Sequence, residues 1–326
     1  MDTPTAKFKN LIPLLAMPVL LLAVEIGALL LTFPVQASGV VAFDDPSSME
    51  NPLIFVVILL VFTAFLLVLI KYNLKKVIGA IITLAIFLTF IYIFASIVYA
   101  IVGMTAASSS QWWDFIIPST VINPESVQNI TAIAVVILLS LLATAVLYKY
   151  PEWYVIDGLG ILIAAGLAAI LGASLDVLPV CVLLMILAIY DAISVYKTKH
   201  MITLAEGVID QKTPILFVIP KRKNYSFIKE GIGKLADGGE RGALIIGMGD
   251  MVIPSVLVVS ASIFTHGTKY FGLVNLPVIG AVIGSLAGLC VLLYFVLSGK
   301  PQAGLPPLNG GTILGFFIGW ALISFA

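Results

Sequence analysis

Charge is scarce in this sequence, and so are the residues that most often bind metals or form cross-links. Only 10% of the 326 residues are charged, and 17 basic residues balance 17 acidic ones, which gives no support for nucleic-acid binding. The two cysteines, Cys181 and Cys290, lie inside apolar runs, where a disulfide is not expected and no metal-ligating neighbours are present. There is no HExxH zinc motif and no GxSG serine motif, so neither a metal nor a cofactor is expected.

Hydrophobic residues make up 61% of the sequence, more than a soluble domain of this size needs. Nine apolar runs are long enough to cross about 30 Å of hydrocarbon at about 1.5 Å per residue. The sequence therefore predicts an all-α membrane protein with nine transmembrane helices. The nine runs are 10–33, 52–70, 77–102, 130–148, 154–174, 177–196, 242–264, 271–297 and 304–325.

The basic residues are unevenly distributed among the loops between these runs. When the loops are assigned alternately to the two sides of the membrane, all of the 17 lysines and arginines except Lys269 fall on one side. The positive-inside rule then predicts a cytoplasmic N-terminus and an outside C-terminus, in the plasma membrane of a prokaryote or an endomembrane of a eukaryote. The chain divides into a six-span part at 1–196, a basic cytoplasmic loop at 197–241 and a three-span part at 242–326. Within the loop, the stretch 214–220 is too short to span and rich in β-formers, which predicts a short strand near the membrane surface.

Two acidic residues interrupt the sixth and seventh apolar runs. A charged group at the centre of a membrane helix costs roughly 2.5–3.5 kcal/mol, so each of the two is a candidate functional residue. Asp191 lies six residues before Lys197, and Asp250 lies nine residues after Arg241. Those spacings put the carboxyl groups about 9 and 13.5 Å from the cytoplasmic ends of their helices. Because adjacent helices pack about 8–10 Å apart, the two side chains can meet.

Two carboxyl groups that meet have the chemistry of an aspartic protease. They share one proton, so that the ionised group takes a proton from water while the protonated group polarises the scissile carbonyl, and no metal is needed. Gly247 and Gly249 remove side chains just before Asp250, where another backbone must come close. Pro306 and Pro307 make the start of the ninth span irregular on the same side of the membrane, so this span can line the site.

These residues fall into a known pattern. Tyr190 with Asp191, and the run GMGD at 247–250, resemble the YD and GxGD signatures of the presenilin and signal peptide peptidase family. The run PPL at 306–308 stands where the family has Pro-Ala-Leu, so this chain departs from the pattern at the middle position. The nine spans and the place of the long loop are also similar to the family, and the resemblance covers nearly the whole chain.

The resemblance implies a presenilin-like bundle and an intramembrane aspartic endopeptidase that cleaves peptide bonds within transmembrane segments of membrane proteins. Asp191 and Asp250 would be its catalytic pair. The implied partners are transmembrane protein substrates and the lipid bilayer; no obligatory protein partner is evident, and a homo-oligomer is left open. The residues that the resemblance implies for substrate binding are Tyr190, Gly247, Met248, Gly249, Pro306, Pro307 and Leu308.

The backbone of a transmembrane substrate is hydrogen-bonded within its helix, so that helix must be unwound locally before it can be cleaved. We expect the stretches 215–219 and 243–246 to offer strand edges to the unwound substrate.

Two other interpretations use the same features. A proton- or ion-coupled transporter, or a channel, would also place aspartates within the membrane, but a transporter predicts internal symmetry that this sequence does not display.

Glu25 in the first span is interpreted as a structural polar contact. Glycines recur every four residues at 280–288 and 311–319, and we expect them to pack helices inside the bundle rather than to form a dimer.

Overall fold

The structure, a computed structural model, describes residues 4–108, 124–198, 216–222, 224–230, 242–297 and 302–323. Within these residues the chain forms nine apolar helices, a five-residue π-helical turn after the sixth, a short helix at Phe227–Glu230 and two β-strands. The nine helices are α1 (Pro4–Ser38), α2 (Glu50–Lys71), α3 (Lys75–Ser108), α4 (Pro124–Lys149), α5 (Trp153–Ser174), α6 (Val177–Ile193), α7 (Met248–Phe264), α8 (Leu276–Leu297) and α9 (Leu305–Ile323).

Eight of these helices are long and apolar enough to cross a membrane, and α7 is a shorter apolar helix of 17 residues. The predicted all-α membrane class is therefore confirmed. The predicted seventh span, 242–264, starts too early, because Ala243–Gly247 forms a strand rather than the first turns of a helix. The eighth helix begins at Leu276 rather than at 271, since Phe271 has a positive φ of 53° and the Asn275 side chain caps the helix at Val278 N.

The two strands form a small antiparallel sheet at the start of α7. Strand β1 (Leu216–Pro220) lies within the stretch for which the sequence predicts a strand, and it pairs with β2 (Ala243–Gly247). Val218 stands opposite Ile245 in the register. The two strands thus tie the loop before α7 to the residues that lead into that helix.

Helix α7 lies in the interior of the bundle. Every residue from 251 to 262 is buried, which explains why this helix can be shorter than a lipid-facing span. It packs against α5, where a Cβ on Gly172 would lie 2.6 Å from the Cβ of Val259. The absence of a side chain at Gly172 therefore lets the two central helices approach closely.

The two glycine-rich faces pack against each other. A Cβ on Gly284 of α8 would overlap the carbonyl oxygen of Gly311 in α9, and a Cβ on Gly315 would overlap that of Gly280. The expected internal packing of these glycines is therefore confirmed.

Glu25 links two further helices inside the bundle. Its side chain on α1 is fully buried, and Oε1 accepts a hydrogen bond of 2.6 Å from the hydroxyl of Ser285 on α8. The predicted structural polar contact is therefore present.

The α8–α9 packing predicts a large difference between two neighbouring alanine substitutions. Gly311→Ala should destabilise the protein by about 1–3 kcal/mol, because the new methyl group overlaps the backbone of Gly284. Gly310→Ala is the matched control, since no atom lies within 4 Å of its added Cβ, and it should leave stability unchanged or slightly raised. Thermal unfolding in detergent measures both variants, and equal midpoints would contradict the packing.

Candidate active site

Asp191 lies near the cytoplasmic end predicted for α6, with its side chain buried. Helix α6 ends two residues later, at Ile193, and the chain continues as a π-helical turn, Ser194–Thr198. The hydroxyl of Ser194 donates a hydrogen bond of 3.0 Å to the Asp191 backbone carbonyl, which satisfies this carbonyl where the regular helix ends.

Asp250 lies in the first turn of α7, directly after strand β2. Gly247 ends the strand in an extended conformation and serves as the N-cap of the helix. A Cβ on Gly247 would lie 3.5 Å from Asp250 Oδ2, so the carboxyl group folds back over this strand-to-helix junction. The junction therefore fixes the position of Asp250.

The start of α9 brings the two aspartates together. The backbone N–H of Leu305 donates a hydrogen bond of 3.0 Å to Asp191 Oδ2. A Cβ on the preceding residue, Gly304, would lie 3.0 Å from Asp250 Oδ2. Both carboxyl groups thus lie against the short segment Gly304–Leu305.

The chemistry of a helix N-terminus explains this contact. The first N–H groups of an α-helix have no acceptor within the helix, and their dipoles favour negative charge. In α9 the N–H of Leu305 finds its acceptor in Asp191, whereas Pro306 and Pro307 have no N–H to satisfy. The two prolines therefore suit the first turn, and the departure from Pro-Ala-Leu at position 307 costs no hydrogen bond within the helix.

The glycines of the GMGD run have different surroundings. Gly249 is exposed, and no atom would lie within 4 Å of an added Cβ. Met248 is buried, and its Cε lies 2.7 Å from the position of a Cβ on Gly160 in α5. The side chain of Met248 therefore anchors the junction to α5, so its contribution to substrate binding would come from its backbone.

Tyr190 and the PPL run are also near the two carboxyl groups, but of these four residues only Pro306 lines a groove. Tyr190 is half-buried and directly precedes Asp191. Pro306 lines a groove of about 350 Å³ between α6 and α9. Pro307 and Leu308 instead pack their backbone against Gly288 of α8.

The structure adds site residues that the sequence did not reveal. The hydroxyl of Tyr196 donates a hydrogen bond of 2.8 Å to Gln302 Oε1 and accepts one of 3.3 Å from the N–H of Ala303. This tyrosine thereby holds the segment that continues into Gly304 and Leu305. The position of Gly304, two residues before the PPL run, was a usable signal, whereas nothing in the sequence marks Tyr196.

This arrangement can support acid–base chemistry. Two carboxyl groups held against the same short segment, one of them by a backbone N–H, can take up and deliver a proton. Among the residues that the structure describes, no three His, Cys, Asp or Glu side chains come together in a way that could hold a metal ion.

Comparisons with known proteins agree with this geometry. The family model described as "Signal-peptide peptidase, presenilin aspartyl protease" matches residues 18–113 and 104–325. The chain belongs to this family. The prediction of an intramembrane aspartic protease is therefore confirmed in preference to a transporter or channel.

Two solved structures of a presenilin family intramembrane aspartate protease are similar to this protease. The one in space group C222 has 43% sequence identity and a TM-score of 0.65, and the match covers 95% of this chain and 100% of that one. The one in space group P2 has 44% identity and a TM-score of 0.63, with 95% and 98% coverage. A comparison with curated protein sequences found no match.

The close approach of Gly304 to Asp250 predicts a sensitive position in this protease. Gly304→Ala would put a methyl group 3.0 Å from Asp250 Oδ2 and 3.3 Å from its Cγ, so the carboxyl group must move. We expect kcat/KM for a transmembrane peptide to fall by about tenfold or more, because small displacements of reacting groups are costly. Gly158→Ala, which meets no atom within 4 Å, is the control and should cleave normally. Equal cleavage rates in the two variants would show that Gly304 does not constrain Asp250.

Proposed function

We propose that Asp191 and Asp250 are the catalytic pair with which this protease hydrolyses peptide bonds in transmembrane segments of its substrates. The observation that carries the proposal is the contact of both carboxyl groups with the backbone at Gly304 and Leu305. Two acids on different helices, held against one segment within an apolar bundle, are costly, and a functional role is the default explanation for retaining them.

The hydrogen bond to Asp191 supports a division of roles between the two acids. A hydrogen bond from an N–H group is stronger to a carboxylate than to a neutral carboxyl group, and Asp191 accepts one from Leu305, so we assign Asp191 as the resting carboxylate and Asp250 as the acid that holds the proton. Asp191 then takes a proton from water as the water oxygen bonds to the scissile carbonyl carbon, while Asp250 gives its proton to the carbonyl oxygen. When the C–N bond breaks, Asp191 gives the proton it took from water to the leaving nitrogen, and Asp250 takes a proton from a hydroxyl of the diol, which becomes a carboxylic acid; both acids thereby return to their starting states.

Among the residues that the structure describes, β2 pairs only with β1, and its other edge is the surface that best suits an unwound substrate. The other strand, β1, packs on its outer side against α5 and α1, and its Val218 N–H donates to Asp157 Oδ1 at 2.8 Å. The expectation that both strands offer edges is therefore narrowed, and we propose the edge of β2 alone as the binding surface. An extended substrate would add to β2 as a third strand and reach the residues that lead to Asp250.

The register specifies which groups of β2 would bind the substrate. Since the Val218 N–H points away from β2, Val218 and Ile245 form a non-hydrogen-bonded pair, and the N–H and C=O of Ile245 point to the free edge. Residues two positions away point the same way, so Ala243 and Gly247 share this orientation. Ala243 is buried, and the C=O of Gly247 belongs to the first turn of α7, so we infer that the N–H and C=O of Ile245 and the N–H of Gly247 supply the backbone hydrogen bonds to the substrate.

Other parts of the site supplement this edge. The open space beside Gly249 and the groove beside Pro306 supply room for substrate backbone and side chains, with Tyr190 nearby. From the distribution of basic residues we further propose that the N-terminus is cytoplasmic, the C-terminus outside, and the site closer to the cytoplasmic face.

Amide substitutions test the catalytic pair. Asp191→Asn and Asp250→Asn keep the size of the side chain and an acceptor oxygen but cannot exchange a proton, so each should lower kcat by at least about a hundredfold. The assay is cleavage of a single-span peptide by the purified protein. Glu25→Gln is the matched control, because it alters another buried acid in the membrane and retains the acceptor for Ser285. Substantial cleavage by either aspartate variant, with the control also active, would overturn the assignment.

A proline at position 245 tests the substrate-binding edge. Ile245→Pro removes an N–H that faces away from β1, so the β1–β2 ladder should survive while pairing with the substrate is blocked. We expect kcat/KM to fall by about tenfold or more with thermal stability nearly unchanged. Ile245→Val keeps the N–H and should cleave like the parent protein, and normal cleavage by the proline variant would exclude this edge as the binding surface.

A further inference from the structure

Asp157 is a buried acid that the catalytic proposal leaves unused. It lies in the second turn of α5, is 9% exposed, and its Oδ1 accepts the hydrogen bond from the Val218 N–H. An acid within a membrane helix is costly, so the contact that retains it is informative. Its partner belongs to a different part of the chain, 61 residues away.

The neighbourhood of Asp157 is shaped to hold the small sheet. Gly160 follows three residues later on the same face of α5, and a Cβ there would lie 3.1 Å from the Phe217 ring and 2.7 Å from Met248 Cε. Asp157 therefore holds the backbone of β1, while the space at Gly160 receives the side chains of Phe217 on β1 and of Met248, which directly follows β2 at the same end of the sheet. Phe217 is fully buried in this position.

The contact also determines which way the sheet faces. A strand that slips by one residue exposes its other face, so fixing the Val218 N–H fixes the side chains and backbone groups of both strands. Because Val218 opposes Ile245, the same bond orients the free groups of Ile245. Strand β2 then continues without a break into Met248 and Asp250.

We propose that Asp157 is a positioning residue, which sets the register between the bound substrate and the two catalytic carboxyl groups. This inference rests on the proposed function of the β2 edge and of the pair Asp191 and Asp250. Asp157 acts through the sheet: its carboxyl group holds β1, β1 holds β2, and β2 aligns the substrate. Loss of the acceptor should therefore change where the substrate is cut as well as how fast.

Three substitutions separate the acceptor from the charge and the volume of the side chain. Asp157→Asn keeps an acceptor oxygen, Asp157→Ala removes it, and Asp157→Leu removes it while filling the space, so that the test stands even if the alanine variant does not fold. Ser260→Ala is the matched control, since it removes a buried side-chain hydrogen bond of 2.8 Å to Leu175 far along the chain from the sheet.

Mass spectrometry of the products gives the cleavage sites, and hydrogen exchange reports on strand β1. We expect the alanine and leucine variants to lose about tenfold to a hundredfold in kcat/KM, to spread cleavage over neighbouring peptide bonds, and to exchange the amide of Val218 faster. The asparagine variant and Ser260→Ala should retain the parental cleavage sites. A purely structural role for Asp157 predicts lower thermal stability with unchanged sites, as in the serine control.

The results distinguish this inference from the catalytic proposal. Parental cleavage sites and Val218 exchange in the alanine or leucine variant would overturn the positioning role while leaving the catalytic pair intact. An asparagine variant as impaired as these two would also overturn it, because the charge rather than the acceptor would then be needed. If Asp191→Asn cleaves normally, the catalytic proposal itself fails.

Discussion

The hydrogen bond between the Leu305 N–H and the Asp191 carboxyl group is the contact on which the rest of the site depends. It joins the end of α6 to the first residue of α9, and the neighbouring Gly304 lies directly against Asp250 on α7. Three helices from two distant parts of the chain therefore meet at one backbone segment. Tyr196 also holds this segment, through hydrogen bonds to Gln302 and Ala303.

The start of α9 has two requirements, and its sequence meets both. Each of its first N–H groups must find an acceptor or be absent. Asp191 accepts the N–H of Leu305, and the two prolines that follow have no N–H. Its backbone must also pack closely on α8, which the facing glycines allow. The proline at position 307 is compatible with both requirements, so the departure from the family pattern leaves this local structure intact.

The second organising feature is the change from strand to helix at Gly247. An extended segment before α7 gives the protein a sheet edge beside a carboxyl group, next to helices that make up most of the described residues. The hydrogen bond between Asp157 and Val218 holds the opposite edge of the sheet on α5. Substrate binding and acid–base chemistry can thus share a single continuous stretch, from Ala243 to Asp250.

The parts of this structure that depend on local signals could be predicted from the sequence. The apolar runs predict the helices, and an acid within such a run identifies Asp191 and Asp250 as candidates. The run ALIIG at 243–247 is as apolar as a helix end, so the predicted seventh span included it, and only its pairing with β1 makes it a strand.

The remaining site residues act through partners that are distant in the sequence. Asp157 bonds to Val218, and Tyr196 bonds to Gln302, which is 106 residues away. No periodicity or short motif encodes such contacts, because they arise only when the helices pack.

The most direct test of the account is a structure of the protease with a peptide analogue that carries a transition-state-like hydroxyl group. We predict that this hydroxyl binds within about 3 Å of both Asp191 and Asp250, with the analogue extended along β2. A hydroxyl group bound to only one of the two carboxyl groups, or to neither, would contradict the central claim that the two acids act as one site.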